Sequence, residues 1–208
     1  MPKRKASSRR WLDRHLHDAY VQRAQVDGYR SRAAYKLLEL QERDALLGRG
    51  MRVVDLGAAP GSWSQVAASL LGRTGRIIAL DLLPIEPLEG VEVIQGDFRD
   101  NELLATLSAL LEGQALDLVL SDMAPNISGM KAVDQPRSIY LVELALDFAL
   151  ATLKPGGVLV VKAFHGEGFD ELVKSMRHHF QRVVSRKPNA SRPQSRETYL
   201  VAKGLRVG

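Results

Sequence analysis

Four aspartates lie at the ends of consecutive apolar runs, each of which predicts a buried strand: Asp55, Asp81, Asp97 and Asp122. Open α/β sheets bind ligands at the carboxyl ends of their strands, so we expect these acids to line one edge. Aspartate also caps helices that follow strands, which explains any one of the four but explains four in register less well. An acidic rim suits a ligand with ribose hydroxyls, an exocyclic amine and a positive charge, and S-adenosylmethionine fits that description. Asp81 is placed to accept both ribose hydroxyls.

The first of these runs leads through a glycine-containing turn into an apolar-periodic segment, which predicts strand, tight turn and helix. Gly57 and Gly61 let the backbone bend and approach a ligand, while Pro60 suits the first turn of the helix. The dinucleotide fingerprint needs glycines where this chain has Ala59 and Ser62, and the sequence contains no GxxxxGK[ST] loop. The turn therefore disfavours a nicotinamide cofactor.

Two lysines and a tryptophan stand near the predicted ligand edge. Lys162 ends a predicted strand, where lysine is uncommon because it is rarely buried without a partner. A structural ion pair with Asp122 is the alternative to a chemical role. Lys36 points away from the apolar face of a helix predicted over Ser31–Leu47, so it faces either solvent or a substrate. Trp63, in the first turn of the next helix, either packs in the core or borders the ligand.

Apolar runs alternate with helical segments along the chain, which predicts a doubly wound α/β sheet of seven strands with the final pair antiparallel. After the run ending at Leu56, strands are predicted over Arg76–Leu80, Val91–Ile94, Leu116–Ser121, Val158–Val161, Arg182–Ser185 and Thr198–Ala202. Further helices are predicted over Glu102–Leu111, Ser138–Leu153 and Phe169–Phe180, with a polar loop over Asp122–Gly129 and a turn over Pro155–Gly157.

At 208 residues and 45% hydrophobic composition, the chain can bury one substantial core. We expect one catalytic domain over residues 31–208 and a basic, partly disordered extension over residues 1–30.

The chain has no cysteine, which excludes disulfides and thiolate metal sites and fits a cytoplasmic location. Its five histidines show no metal-ligand pattern. No apolar run approaches the roughly 20 residues of a membrane span, and nothing demands a dimer, so we expect a monomer.

Charge is distributed unevenly along the chain. Residues 1–36 contain ten Lys and Arg against three Asp and Glu, residues 37–172 contain ten against twenty, and residues 173–208 contain nine against one. Two basic flanks around an acidic body suggest that a polyanion is held at both ends, although basic termini are often only solvated. Aromatic residues at Trp11, Tyr20, Tyr29 and Tyr35 interleave with basic residues, which favours nucleic acid because bases stack on aromatic rings.

Several segments in order, DLGAAPGSWSQ, SDMAPNISG, LVVKAFHGEGF and SRETYLVA, with SRAAYKLLEL before them, closely resemble the FtsJ/RrmJ (RlmE) family of bacterial ribosomal RNA ribose methyltransferases. The resemblance runs from about Tyr20 to Ala202. It implies a Rossmann-like methyltransferase fold with helices on both faces of a mostly parallel sheet. It also implies methyl transfer from S-adenosylmethionine to a uridine 2′-hydroxyl in the A-loop of 23S RNA in the large ribosomal subunit.

The resemblance assigns catalytic roles to Lys36, Asp122, Lys162 and Glu197, and cofactor contacts to Gly61, Trp63, Asp81, Asp97 and Asp122. We add Asp55, Gly57, Ala58, Pro60 and Phe98 to the expected cofactor site. Lys162 is expected to act as a base or to steer the ribose oxygen electrostatically, Asp122 to orient Lys162, and Lys36 and Glu197 to position the ribose.

Other functions use parts of the same pattern. A transfer-RNA or messenger-cap ribose methyltransferase shares the four catalytic residue types and is the alternative within the class. An RNA-binding ribosome-assembly protein with an idle site would share the basic flanks. A base N-methyltransferase is disfavoured, because no aromatic residue follows Pro125-Asn126.

Overall fold

The computed structural model describes residues 18–207, in which it contains six helices and seven strands. The helices are α1 (Ala19–Val26), α2 (Ala33–Asp44), α3 (Ser62–Leu71), α4 (Asn101–Leu111), α5 (Lys131–Thr152) and α6 (Phe169–His179). The strands are β1 (Arg52–Leu56), β2 (Arg76–Asp81), β3 (Val91–Gln95), β4 (Leu116–Ser121), β5 (Leu153–Phe164), β6 (Phe180–Arg186) and β7 (Glu197–Leu205). Residues 1–17 of the predicted amino-terminal extension, with Trp11, lie outside this range.

All seven strands form one sheet in the order β3-β2-β1-β4-β5-β7-β6. Neighbouring strands from β3 through β5 pair in parallel, and β7 pairs antiparallel with both β5 and β6. This confirms the predicted mostly parallel sheet with an antiparallel final pair. The strand order changes direction between β1 and β4, because β2 and β3 lie on one side of β1 and the later strands lie on the other. Such a switch point leaves a crevice at the carboxyl ends of the two strands, which is the usual ligand position in these sheets.

The core has two layers, because successive side chains of a strand point to opposite faces of the sheet. In β1, Val53 packs with α2 and α3, whereas Val54 and Leu56 pack with α4, α5 and α6. All three side chains are at most 1% exposed, and burial of each is worth roughly 1.5–3 kcal/mol. The predicted helices on both faces are therefore confirmed. Among residues 18–207, no helix has the length and apolar character to cross a bilayer.

Helix α5 begins at Lys131, so the prediction that it starts at Ser138 is wrong. Pro136 lies inside its early turns, and a proline there removes one helical hydrogen bond and reads as a break in the sequence. The carboxylate of Asp134, in the first turn of the helix, accepts hydrogen bonds from the backbone amides of Ser128 and Gly129, both at 2.9 Å. The first turn of α5 thereby fixes the end of the loop that follows β4.

Strand β5 is longer than predicted, since it begins at Leu153 and not at Val158. The predicted turn over Pro155–Gly157 forms an irregular first part of this strand, in which Gly156 has φ +79°. The pairing with β4 shifts register there, between Leu116 and Leu118. Regular pairing with β4 resumes at Val158, and it is this regular part that positions Lys162.

The tyrosines of the amino-terminal segment pack against one another. Tyr35 is only 4% exposed, with ring centroids 5.5 Å from Tyr20 and 5.6 Å from Tyr29, and Ala190 closes the cluster. The Tyr35 hydroxyl donates to Asp27 at 2.7 Å. The interpretation of these rings as base-stacking platforms is therefore wrong for Tyr35, whose faces are covered by protein, and Tyr20 and Tyr29 are half-buried in the same cluster.

Candidate active site

The turn between β1 and α3 requires both of its glycines. Gly57 has φ +71°, and a Cβ atom there would lie 2.8 Å from the backbone nitrogen of Met123. Gly61 has φ +102°, and a Cβ atom would lie 2.9 Å from Nη1 of Arg30. Real Cβ contacts are not this short, and positive φ disfavours other residues. The sequence prediction of a tight turn is confirmed, and we call residues 57–61 the cofactor turn.

Pro60 lies before the helix, because α3 begins at Ser62 with Gly61 as its N-cap. The prediction that Pro60 occupies the first helical turn is therefore wrong: the left-handed backbone of Gly61 separates it from the helix, and its peptide bond with Ala59 is cis. Ser62 meets Ser31 at 2.7 Å between hydroxyl oxygens, which joins the starts of α2 and α3.

The four predicted aspartates lie on adjacent strands but not at one level. Leu56 pairs with Leu80 and with Ser121, so Asp81 and Asp122 both follow one residue beyond it. Asp55 lies inside β1, level with Ala79 of β2, and Asp97 lies beyond the end of β3. The expectation of four acids in register is therefore correct only for Asp81 and Asp122. The other two acids differ because their positions relative to the carboxyl end of the strand differ.

Asp81 connects the cofactor turn to the next loop. Its carboxylate accepts from the backbone nitrogen of Ala59 at 2.9 Å and from that of Leu83 at 2.8 Å. Asp97 is half-buried and accepts three hydrogen bonds from the Arg99 side chain, the shortest at 2.6 Å. These bonds lower the pKa of Asp97 to about 2. Asp97 is thus a carboxylate at neutral pH.

Asp55 is fully buried beneath the cofactor turn. One carboxylate oxygen accepts from the hydroxyl of Ser64 at 2.6 Å, while Oδ1 has no hydrogen-bond partner among the described residues. Burial raises the pKa of Asp55 to about 7, and the hydrogen bond from Ser64 opposes that rise only in part. A buried acceptor without a donor is costly, so this oxygen is suited to a cationic or hydrogen-bonding ligand.

The four predicted catalytic residues come together beside the cofactor turn. Nζ of Lys162 lies 3.0 Å from Oδ1 of Asp122 and also donates to the backbone carbonyl of Asp122. Nζ of Lys36 lies 2.7 Å from Oε1 of Glu197. The side chain of Lys36 is only 12% exposed, so it points into the site and not into bulk solvent.

Tyr199 joins these two ion pairs, and sequence reasoning missed it. Its hydroxyl donates to Oδ1 of Asp122 at 2.7 Å and lies 3.2 Å from Nζ of Lys36. The signal was present in the strand pattern: Tyr199 follows Glu197 by two residues and pairs directly with Lys162 across β5 and β7. All three side chains therefore share one face of the sheet.

Charge within this cluster is balanced between two lysines and two carboxylates. Burial alone raises the pKa of Asp122, but Lys162 and then Lys36 outweigh burial and hold that pKa below its usual value. Burial likewise opposes ionisation of Glu197, and Lys36 lowers its pKa overall. Burial, followed by the charge of Asp122, raises the pKa of Tyr199 well above its usual value. Both acids are therefore charged at neutral pH, and the tyrosine keeps its proton.

Two cavities meet at this cluster, and Ala33 lines both. The first is a small pocket at the cofactor turn, whose lining includes six predicted site residues: Asp55, Gly57, Ala58, Pro60, Trp63 and Asp122. The second has a volume of about 350 Å³ and is lined by Lys36 and Glu197 together with Arg32, Arg192, Gln194 and Ser195. Its walls combine the catalytic cluster with two arginines, which suits an anionic substrate.

The remaining predicted cofactor residues lie outside the lining of the small pocket: Gly61, Asp81, Asp97 and Phe98. Phe98 is 6% exposed and packs edge-to-face on Phe148 with centroids 5.4 Å apart. Trp63 combines both roles that its sequence position left open. It is 2% exposed and packs in the core, donates from its indole to the carbonyl of Ala33 at 2.8 Å, and borders the pocket.

The fold and the position of the site define a Rossmann-like, S-adenosylmethionine-dependent methyltransferase. The structure of Aeropyrum pernix fibrillarin with bound S-adenosyl-L-methionine is similar in fold, with a TM-score of 0.56 and 15% identity over 82% of this chain and 73% of that one. A Plasmodium falciparum protein, described as a ribosomal RNA methyltransferase, superposes with a TM-score of 0.76 at 32% identity, covering 85% of this chain and 98% of that one.

Residues 29–205 match the FtsJ-like methyltransferase family, and the chain belongs to that family. This confirms the resemblance noted from the sequence, and S-adenosylmethionine, the predicted cofactor, is the methyl donor of the family. Among its relatives is the ribosomal RNA large subunit methyltransferase E of Marinobacter nauticus, 58% identical over 98% of this chain and 99% of the relative. The protein of the same name from Alkalilimnicola ehrlichii is 59% identical over 98% of this chain and 97% of the relative.

Proposed function

We propose that this protein transfers a methyl group from S-adenosylmethionine to the 2′-hydroxyl of a uridine in the A-loop of 23S RNA, in the large ribosomal subunit. The observation that carries the proposal is the joined cluster of Lys36, Glu197, Asp122 and Lys162 between the cofactor turn and a basic cavity. The names of relatives at 58% and 59% identity support large-subunit ribosomal RNA as the substrate class.

The pocket at the cofactor turn fits the donor chemically. The unpartnered Oδ1 of Asp55 is an acceptor for an ammonium group, and the lack of side chains at Gly57 and Gly61 leaves room for close backbone contact. The bound donor supplies an electrophilic methyl group next to a cationic sulfur. We assign its contacts to Asp55, Gly57, Ala58, Pro60, Gly61, Trp63, Asp81, Asp97, Phe98 and Asp122.

The protein's own groups must align the ribose oxygen and deal with its proton. Both contacts of Lys162 with Asp122 are those of a hydrogen-bond donor, a geometry that suits electrostatic steering of the ribose oxygen. In the alternative role, Lys162 acts as the base and accepts the proton of the ribose hydroxyl. Asp122 orients Lys162, while Lys36 and Glu197 face the larger cavity and position the ribose.

Radiolabelled S-adenosylmethionine tests the reaction and the substrate together. The protein is incubated with purified large subunits, free 23S RNA and bulk transfer RNA, and the labelled nucleosides are identified. We expect 2′-O-methyluridine on the large subunit. Lys162→Ala should abolish transfer, and Lys174→Ala, which changes an exposed lysine on α6, should leave it unchanged.

The same assay separates the alternatives. Label on transfer RNA, or on a capped messenger RNA added as a fourth substrate, would replace the ribosomal proposal with a different ribose methyltransferase. Bound cofactor without label on any RNA would favour an assembly protein with an idle site. We also propose that the protein is a cytoplasmic monomer, and the division into residues 1–30 and a catalytic domain over 31–208 stays a prediction.

A further inference from the structure

Arg30 makes an unusual set of contacts beside the cofactor turn. Its Nη1 donates to the carbonyl of Pro60 at 2.9 Å and to that of Glu86 at 2.7 Å, and its Nη2 donates to the carbonyl of Pro87 at 2.8 Å. All three acceptors are backbone oxygens, and they come from two segments far apart in the sequence. One guanidinium therefore joins the cofactor turn to the loop over residues 82–90.

These are the same two segments that Asp81 connects from the inside. Asp81 accepts from the amides of Ala59 and Leu83, and Ile85 from the same loop packs under the turn against Ala58, at 8% exposure. Arg30 closes the junction from the outside. One carboxylate and one guanidinium thus tie the loop to the turn, in addition to the apolar contacts of Ile85 and Leu88 near Gly61 and a hydrogen bond of 3.2 Å from Gln95 to the carbonyl of Leu82.

The backbone of Arg30 is itself held in place. Its amide donates to Oε1 of Gln65 at 3.1 Å, and Nε2 of Gln65 donates to the carbonyl of Gly28 at 2.8 Å. Gln65 belongs to α3, so the segment carrying Arg30 is fixed to the helix that follows the cofactor turn. The backbone that carries the guanidinium is therefore fixed by hydrogen bonds to α3. The guanidinium also lies so close to the turn that a Cβ atom at Gly61 would be 2.9 Å from its Nη1.

We propose that Arg30 is a positioning residue for the donor site, and not one of the RNA-contacting arginines that the basic amino-terminal flank suggests. A guanidinium has five N–H donors, and three of its bonds here hold protein backbone. These three bonds hold the guanidinium against the turn, and only its Nε–H and one Nη2–H are left for any other ligand. This inference rests on the proposed use of the cofactor turn for S-adenosylmethionine.

The test measures donor affinity and RNA affinity separately, by calorimetry with S-adenosylmethionine and by filter binding with 23S RNA. For Arg30→Ala we expect the donor Kd to rise about tenfold, as expected for loss of a charge-assisted hydrogen bond, with the RNA Kd within twofold of wild type. Arg30→Lys keeps the charge and one carbonyl contact and should give an intermediate donor Kd.

Two further variants frame the result. Arg73→Ala removes an exposed arginine before β2, at the opposite end of the sheet, and should change neither Kd. Arg192→Ala removes a 40%-exposed arginine that lines the larger cavity and should weaken RNA binding alone. An unchanged donor Kd in Arg30→Ala, or a larger effect on RNA than on donor, would overturn the inference. If Arg30→Ala does not fold, Arg30→Lys decides by the same two measurements.

Failure of the proposed function would look different. A wild-type protein that binds no S-adenosylmethionine contradicts the function itself, whereas normal wild-type binding with no effect at Arg30 contradicts only this inference.

Discussion

Replacement of Asp55 by asparagine should stabilise the ligand-free protein at alkaline pH. Burial raises the pKa of Asp55 to about 7, whereas an aspartate in the unfolded chain has a pKa of about 3.9. Between these values the folded state holds a proton that the unfolded state has released, so the free energy of unfolding falls as pH rises. The fall begins near the unfolded pKa and ends above the folded one.

The size of the effect follows from that interval of about three pKa units. At about 1.4 kcal/mol per unit, ionising Asp55 costs on the order of 4 kcal/mol, of which about 3 kcal/mol falls between pH 5 and pH 8.5. Urea unfolding of wild type and Asp55→Asn at these two pH values measures it. The difference between the two proteins removes the contributions of other titrating groups.

Asp117 provides a matched control on the neighbouring strand β4. Although burial raises its pKa, hydrogen bonds from the Arg52 amide and from Lys154 lower it overall. Asp117 therefore contributes stability that is lost as pH falls. The difference in unfolding free energy between wild type and Asp117→Asn should rise with pH, whereas the difference between wild type and Asp55→Asn should fall. Parallel pH profiles for wild type and Asp55→Asn would show that Asp55 ionises freely in the folded state and would refute this reasoning.

Substitutions at three other residues test the site. Asp81→Ala should weaken S-adenosylmethionine binding, because it removes the acceptor placed for the ribose and frees the cofactor turn; an unaltered Kd would reject that role. Lys162→Arg distinguishes the two proposed roles by the pH dependence of the single-turnover rate. Electrostatic steering predicts an active arginine variant with a flat profile, whereas base catalysis predicts that activity rises with pH in wild type and is lost in the variant. An unchanged rate in Lys162→Ala would exclude both. Tyr199→Phe should slow single turnover about tenfold while leaving donor affinity unchanged, because only the hydroxyl that joins the ion pairs is lost. A wild-type rate would mean that the ion pairs hold their geometry without it.

Prediction from sequence worked best where local pattern and global topology coincide. Asp81 and Asp122 were found because each directly follows an apolar strand, and parallel pairing places such ends side by side. Depth within the sheet was not predictable in this way. Asp55 resembles another acid at a strand end, but strand pairing places it level with Ala79, inside the sheet. Burial at that position raises its pKa.

The start of α5 was mispredicted because Pro136 reads as a break in the sequence, while the contacts that hold the first turn are tertiary. The acceptor that organises this end, Asp134, receives its donors from the loop after β4, and no helical periodicity reveals such contacts. A proline among loop-forming residues favours a break in any local analysis. In the structure the helix continues through Pro136, and the loop amides hold its first turn through Asp134.

Counting basic residues in the amino-terminal segment does not show which of their charges are accessible to a partner. Composition counts Arg30 and Arg32 as free cations, yet Arg30 holds three backbone carbonyls, and Arg32 pairs with Asp18 and donates to the carbonyl of Ala190. Electrostatic attraction of a polyanion acts through charges that are accessible to it. Arg192 lines the same larger cavity as Arg32 and lies 3.9 Å from Asp18, but its side chain is 40% exposed, against 14% for Arg32. The basic composition therefore indicates the class of partner, while the structure moves the expected contacts toward the carboxy-terminal loop beside the catalytic cluster.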